Sequence, residues 1–117
     1  MAWPALIARE LVGAAAAWKS GNDGKARVCA RRAVALADEA WLAQQASPSS
    51  PGDAMAHLRR IQQDVSFPLS VRQAAERLTT AVTQKHTAPF TADPVGDANA
   101  IIEHLIGGED ARTVARL

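Results

Sequence analysis

The sequence predicts an all-α protein, a single domain built as an antiparallel bundle of four or five helices. Apolar residues recur at three- and four-residue steps along several segments, and alanine, the strongest helix former, is the most frequent of them. No segment shows the strict alternation of apolar and polar residues that marks a strand. The 117 residues and the 48% hydrophobic content are sufficient for one buried core, so we treat 1–117 as one domain, with 109–117 as a flexible tail.

The first two helices are predicted to form a hairpin. The first runs over 4–19, and its apolar stripe consists of Trp3, Ile7, Leu11, Ala14, Ala15 and Trp18. In the turn that follows, Gly21 is expected in the left-handed conformation and Asn22 or Asp23 as the cap of the next helix. The second helix runs over 24–45 and presents a face of small residues, which allows close packing against the first.

Three further helices are predicted after the loop at 47–52. The third opens with Ser50 followed by Pro51 and Asp53 and runs to about Val65. The fourth runs from Ser70 to about His86, with Ser70 and Gln73 as a capping box and Leu69 packed on Ala74 as a hydrophobic staple. The fifth begins at 93–94 and ends at the glycine pair 107–108.

Composition excludes several classes of protein. A formal net charge of +1 gives no overall attraction to nucleic acid or to a membrane surface. The longest apolar run, 11–18, is much shorter than a membrane span, and the first residues lack the basic region of a signal peptide. Cys29 has no partner for an internal disulfide, which is typical of a cytoplasmic protein. The three histidines lack metal-ligand spacing, so we expect no metal and no cofactor.

Four basic residues near the start of the second helix form the strongest candidate binding site. Positive charge in the first turns of a helix opposes the helix dipole, so such a cluster indicates a site for phosphate, RNA or an acidic partner. The alternative is a solvated face that Asp38 and Glu39 partly neutralise. The cluster consists of Lys25, Arg27, Arg31 and Arg32, and a second, more scattered set, interpreted as solvated, consists of Arg59, Arg60, Arg72 and Arg77.

The order of the helices and the spacing of small residues carry a resemblance to a known family. Small residues recur over 26–42 after a Lys-Ser-Gly turn, Leu58-Arg59-Arg60-Ile61 lies in the third helix, and Phe67-Pro68-Leu69-Ser70 precedes Ala75-Glu76-Arg77-Leu78-Thr79. Over about 6–106 the chain resembles the HEPN domain family of small helical bundles. The positions Ala14, Ala17, Gly21, Ala26, Ala30 and Ala33 also fit one tetratricopeptide hairpin, but solenoids need several such repeats.

The resemblance implies a bundle that dimerises, that works beside a nucleotidyltransferase partner, and that in some members cleaves RNA. The ribonuclease members carry an arginine four to six residues before a histidine near the end of the fourth helix. Here the matching histidine is His86, whereas the arginine positions hold Thr79, Thr80 and Ala81. Arg77 is the nearest arginine, with eight residues between it and His86, so the motif is not intact.

The sequence therefore favours a non-catalytic HEPN-like interaction module that forms homodimers. An apolar stripe left over after folding would be buried in a second copy of the chain. The alternative function is an RNA-binding protein, or a weak endoribonuclease of toxin–antitoxin type, in which the basic cluster holds phosphates and Arg77 and His86 carry the chemistry.

Overall fold

The computed structural model describes residues 3–45, 51–80 and 92–106, and all regular secondary structure within these ranges is helical. This confirms the all-α prediction. The helices are α1 (Trp3–Lys19), α2 (Asp23–Ala43), α3 (Ala54–Gln63), α4 (Leu69–Thr79) and α5 (Pro94–Ile106). His86, the glycine pair at 107–108 and the predicted tail at 109–117 lie outside the described residues.

Local signals set the starts of α2 and α3, and the predicted left-handed Gly21 and cap of α2 are confirmed. Gly21 has a φ of +83° and leads into Asn22, whose side-chain oxygen accepts a hydrogen bond from the Lys25 amide at 3.2 Å. Asp53 caps α3 in the same way, accepting from the Ala56 amide at 2.9 Å. Each cap satisfies an amide that has no partner within its helix.

The predicted limits of the fourth helix are wrong at both ends. α4 begins one residue earlier, after Pro68, and its N-terminus has no side-chain cap, so the capping box is not formed. Leu69 is exposed and does not act as a staple. At the other end Thr80 is extended, and the hydroxyls of Thr79 and Thr80 both donate to the Glu76 carbonyl at 2.8 Å. The Thr80 amide donates to the same carbonyl at 3.0 Å and closes the last turn, so α4 ends at Thr79, seven residues before His86.

The helices pack around one core to which all five contribute. α2 packs against α1, α3 and α5, and α4 packs against α3 and α5. α1 lies on the outside of this arrangement, held mainly by α2 and touching α5 only slightly. The largest fully buried apolar side chains are Ile7, Val34, Leu58, Ile61, Leu78 and Ile101.

Helix α1 buries a narrower stripe than its sequence suggests. Ile7 and Ala14 are buried as predicted, and Ala17, which the predicted stripe did not include, is also buried. Ala15 is exposed, however, and Trp18 retains 37% of its accessible surface. α1 packs against other helices on one side only. No described residue covers its opposite face, which is open to solvent.

Candidate functional site

The most unusual feature of the interior is a buried acid–base pair between α2 and α3. Asp38 and His57 are both fully buried, and His57 Nδ1 lies 2.7 Å from Asp38 Oδ2, so the ring donates a hydrogen bond to the carboxylate. Val34, Asp38 and Leu42 are spaced four residues apart along α2, so they lie on one face of the helix, and all three are buried. A carboxylate in such a place needs partners, because burial of an unpaired charge is very costly.

Arg60 supplies the second partner of Asp38. Its Nε donates to Asp38 Oδ2 at 3.0 Å, and its terminal Nη2 donates to the other carboxylate oxygen. A further bond reaches Asp64 Oδ2 at 3.2 Å. Burial alone would lower the pKa of Arg60, but the bonds and charges of Asp38 and Asp64 together raise it. Arg60 is therefore held as a permanent cation.

Aromatic rings cover the guanidinium of Arg60. Its Cζ lies 4.8 Å from the centre of the Trp41 ring and 5.5 Å from that of Phe67. The two rings meet edge to face at 5.4 Å, and Phe67 also packs edge to face on His104 at 4.9 Å. This group ties together the end of α2, the segment between α3 and α4, and the end of α5.

Asp64 lies on the solvent side of Arg60. It is the fourth member of a polar cluster that also contains Asp38, His57 and Arg60. The Ser66 hydroxyl donates to Asp64 Oδ1 at 2.6 Å and the Ser66 amide donates to the same oxygen at 3.0 Å. The Ser66 hydroxyl is the main cause that lowers the pKa of Asp64, and the Ser66 amide and Arg60 act in the same direction against the effect of burial. Asp64 thus remains ionised beside Arg60.

In a histidine that acts as a general base, a carboxylate orients the ring through Nδ1 and Nε2 accepts the proton. The Asp38–His57 pair has this orientation. Here Nε2 is buried, makes no hydrogen bond, and lies 3.4 Å from Glu39 Oε1. With no exposed surface on His57, a substrate has no access to this nitrogen. The arrangement joins α2 to α3 in the interior of the bundle.

The predicted basic cluster is divided between two faces of α2. Lys25 and Arg32 are exposed and lie seven residues apart, on one face. Arg27 and Arg31 are partly buried and lie four residues apart, on another. Arg31 Nε donates to the Leu78 carbonyl at 2.7 Å, so this side chain caps the C-terminus of α4. Burial, and then the charge of Arg27, lowers the pKa of Arg31.

The structure gives the weak catalytic candidate Arg77 an ordinary ion-pair partner. Its Nη2 and Nε donate to the two carboxylate oxygens of Asp97 at 2.8 and 3.1 Å, which joins the end of α4 to the start of α5. This bidentate bond is the main cause that raises the pKa of Arg77. His86 lies outside the described residues, so its proposed pairing with Arg77 is not addressed by the structure.

The sequence interpretation missed the cluster around Asp38. It treated Asp38 as a solvated counter-charge and Arg60 as part of a solvated set, and both assignments are wrong. One signal was present, because Asp38 occupies the same helical face as Val34 and Leu42. Its partners were not predictable, since His57 lies 19 residues away along the chain and on a different helix.

The described residues contain neither a candidate metal site nor a helix that could span a membrane. No group of three or more His, Cys, Asp or Glu side chains within 3–45, 51–80 and 92–106 could hold a metal ion. Among the helices of the same ranges, none combines the length and the apolar character that crossing a membrane requires. Cys29 is buried, as predicted, and its Sγ would lie 3.5 Å from a Cβ added at Gly13.

Comparison of the chain with protein-family models, with curated proteins and with solved structures finds no match. The resemblance to the HEPN family therefore stays a prediction.

Proposed function

We propose that the chain is a non-catalytic helical interaction module that forms homodimers, with the antiparallel arrangement of a HEPN-like bundle. The observation that carries this proposal is the open apolar face of α1. A helix in an ordinary monomer turns charged residues to solvent opposite its buried stripe. Between 3 and 18, α1 contains only two charged residues, Arg9 and Glu10.

The side chains on the open face support an interaction surface. Val12 retains 69% of its accessible surface and Leu6 retains 40%, and the alanines at 5, 15 and 16 are also exposed. An exposed helix face that is mostly apolar is typical of a protein–protein contact. Small side chains let a second helix approach closely and gain dispersion energy along its length.

The polar groups of the described residues support an interaction role over a catalytic one. Arg60 and His57 are bound to Asp38, Arg77 is bound to Asp97, and Arg31 is bound to a backbone carbonyl. Each of these side chains stabilises a contact between helices. None of them is placed as a base or nucleophile at an open surface, which a hydrolytic site requires.

Sedimentation of the purified protein across a dilution series tests the proposal. A 17-residue helix is about 25 Å long, so the interface is at the small end of specific contacts and we expect a dissociation constant in the micromolar range. Val12→Asp places a charge in the interface and is expected to shift the protein to monomer without loss of helix. Val65→Asp is the matched control, because Val65 is 85% exposed outside the helices.

A monomer at all concentrations up to about 100 µM would contradict homodimerisation. The face would then belong to a different protein, and the nucleotidyltransferase partner that the resemblance implies becomes the first candidate. Equal effects of Val12→Asp and Val65→Asp would contradict the assignment of the interface to α1.

A further inference from the structure

We infer that two copies of the chain pair through α1 in an antiparallel manner, centred between Glu10 and Leu11, so that Arg9 of each copy lies beside Val12 and Glu10 of the other. This inference rests on the proposed homodimer and specifies its geometry. The interface is then built from one helix of each copy, related by a two-fold axis.

The positions that form the seam follow from the helical repeat. Ala5, Arg9, Val12 and Ala16 are all exposed and are spaced by four, three and four residues, so they lie within about 60° of one another around the helix. Ile7 and Ala14, which are fully buried, lie on the opposite side. These four exposed residues therefore form the line of α1 that is farthest from the core.

An antiparallel pairing makes this line complementary to itself. When the centre lies between Glu10 and Leu11, Ala5 faces Ala16 of the second copy, and Arg9 faces Val12. The small residues at both ends allow the helices to come close, and the aliphatic part of Arg9 covers the Val12 side chain. The centre of the pairing almost coincides with the midpoint of α1, so nearly the whole helix is used.

Charge complementarity supports the same arrangement. Arg9 and Glu10 form no ion pair with any described residue of their own chain, and they are the only charges of α1 before Lys19. A two-fold axis perpendicular to the paired helices places each edge of the interface against the same edge of the twin. Glu10 follows Arg9 by about 100° around the helix, on the same edge of the seam. In the pair, the long side chains of Arg9 and of Glu10 from the other copy therefore meet at this edge, and the contact is made twice.

The test uses charge reversal followed by sedimentation or light scattering across a dilution series. Arg9→Glu places a new carboxylate beside Glu10 of the twin, and Glu10→Arg places a new guanidinium beside Arg9 of the twin. We expect each single change to weaken the dimer about tenfold at low salt, and less at high salt, where the charges are screened. The double variant restores opposite charges and is expected to return to within about twofold of the original affinity.

Mixing the two single variants gives a second readout. A heterodimer of Arg9→Glu with Glu10→Arg joins opposite charges at both contacts, so the mixture is expected to dimerise more tightly than either variant alone. Arg59→Glu is the control, because Arg59 is exposed on α3 and the change in charge is the same as in Arg9→Glu. Circular dichroism establishes that each variant retains its helices.

The outcomes separate this inference from the proposed function. A wild-type protein that never dimerises overturns both. A wild-type dimer that tolerates the single reversals, or one that the double variant fails to restore, overturns the antiparallel pairing and leaves the homodimer in place. Weakening by Arg59→Glu equal to that by Arg9→Glu also overturns the pairing, since the effect would then come from net charge.

Discussion

Arg59 and Arg60 are neighbours on α3 with opposite roles in the fold. Arg59 points to solvent, whereas Arg60 binds Asp38 and Asp64 and lies against the rings of Trp41 and Phe67. The buried carboxylate explains the difference. Asp38 has no exposed surface, so loss of a partner leaves charge inside the protein that water cannot reach.

Replacement of each arginine by alanine measures this difference. Arg60→Ala is expected to lower the free energy of unfolding by about 3 kcal/mol, at the lower end for a broken buried pair because His57 still binds Asp38. Arg59→Ala is expected to change it by less than about 0.5 kcal/mol. Urea denaturation followed by circular dichroism checks both values. Similar losses for the two variants would show that Asp38 does not depend on Arg60.

At the level of single residues, the sequence predicts which side chains are buried better than it predicts the residues that they bind. The four-residue repeat that joins Val34, Asp38 and Leu42 is local and already indicates that Asp38 faces the core. The identity of its partners depends on how α3 docks on α2, which is a tertiary property. A basic residue in the sequence also gives no sign of whether a carboxylate or solvent will surround it, as Arg59 and Arg60 demonstrate.

At the level of helices, the turn between α1 and α2 depends on one backbone conformation. Gly21 has a φ of +83°, which residues with a side chain rarely adopt, and a Cβ added there would meet no atom within 4 Å. The cost of a side chain at Gly21 is therefore one of conformation alone. Gly24 also has free space around a Cβ, but it lies within the first turn of α2.

Alanine substitutions at these two glycines are expected to have opposite signs. Gly21→Ala should lower the free energy of unfolding by about 1 kcal/mol, because alanine is strained at positive φ. Gly24→Ala should raise it by up to about 1 kcal/mol, because alanine loses less backbone entropy in a helix. Thermal unfolding of the two variants checks the prediction. A stabilising Gly21→Ala would mean that the turn adopts a different conformation.

The limits of the helices were predictable where the signal spans a few residues. The caps at Asn22 and Asp53 each act on an amide three residues ahead, so the sequence contains all the required atoms. The limits of α4 were not predictable in this way. At its start, Ser70 and Gln73 match a capping box without forming one. At its other end, the sequence over 79–81 has no glycine or proline that would mark where the helix stops.

At the level of the whole molecule, three arginines of the described residues are engaged within the fold. Arg60 and Arg77 have carboxylate partners, and Arg31 binds the end of α4. The basic cluster of α2 therefore offers Lys25 and Arg32 together on one face, and Arg27 with Arg31 on another. A nucleic acid of several phosphates needs a longer continuous row of cations than either face provides.

Binding and cleavage assays of the protein with both structured and single-stranded RNA test the alternative RNA function. Because few phosphates can be contacted at once, we expect a dissociation constant no tighter than about 10⁻⁴ M at physiological salt and a shallow dependence on salt. We also expect no cleavage, and therefore no difference between the wild type and an Arg77→Ala/His86→Ala variant. Tight binding that Lys25→Ala/Arg32→Ala removes, with Arg59→Ala as the control, would make RNA the ligand of this face. Cleavage that Arg77→Ala/His86→Ala abolishes would overturn the non-catalytic role, since Arg77 would then have to leave Asp97 to act on the substrate.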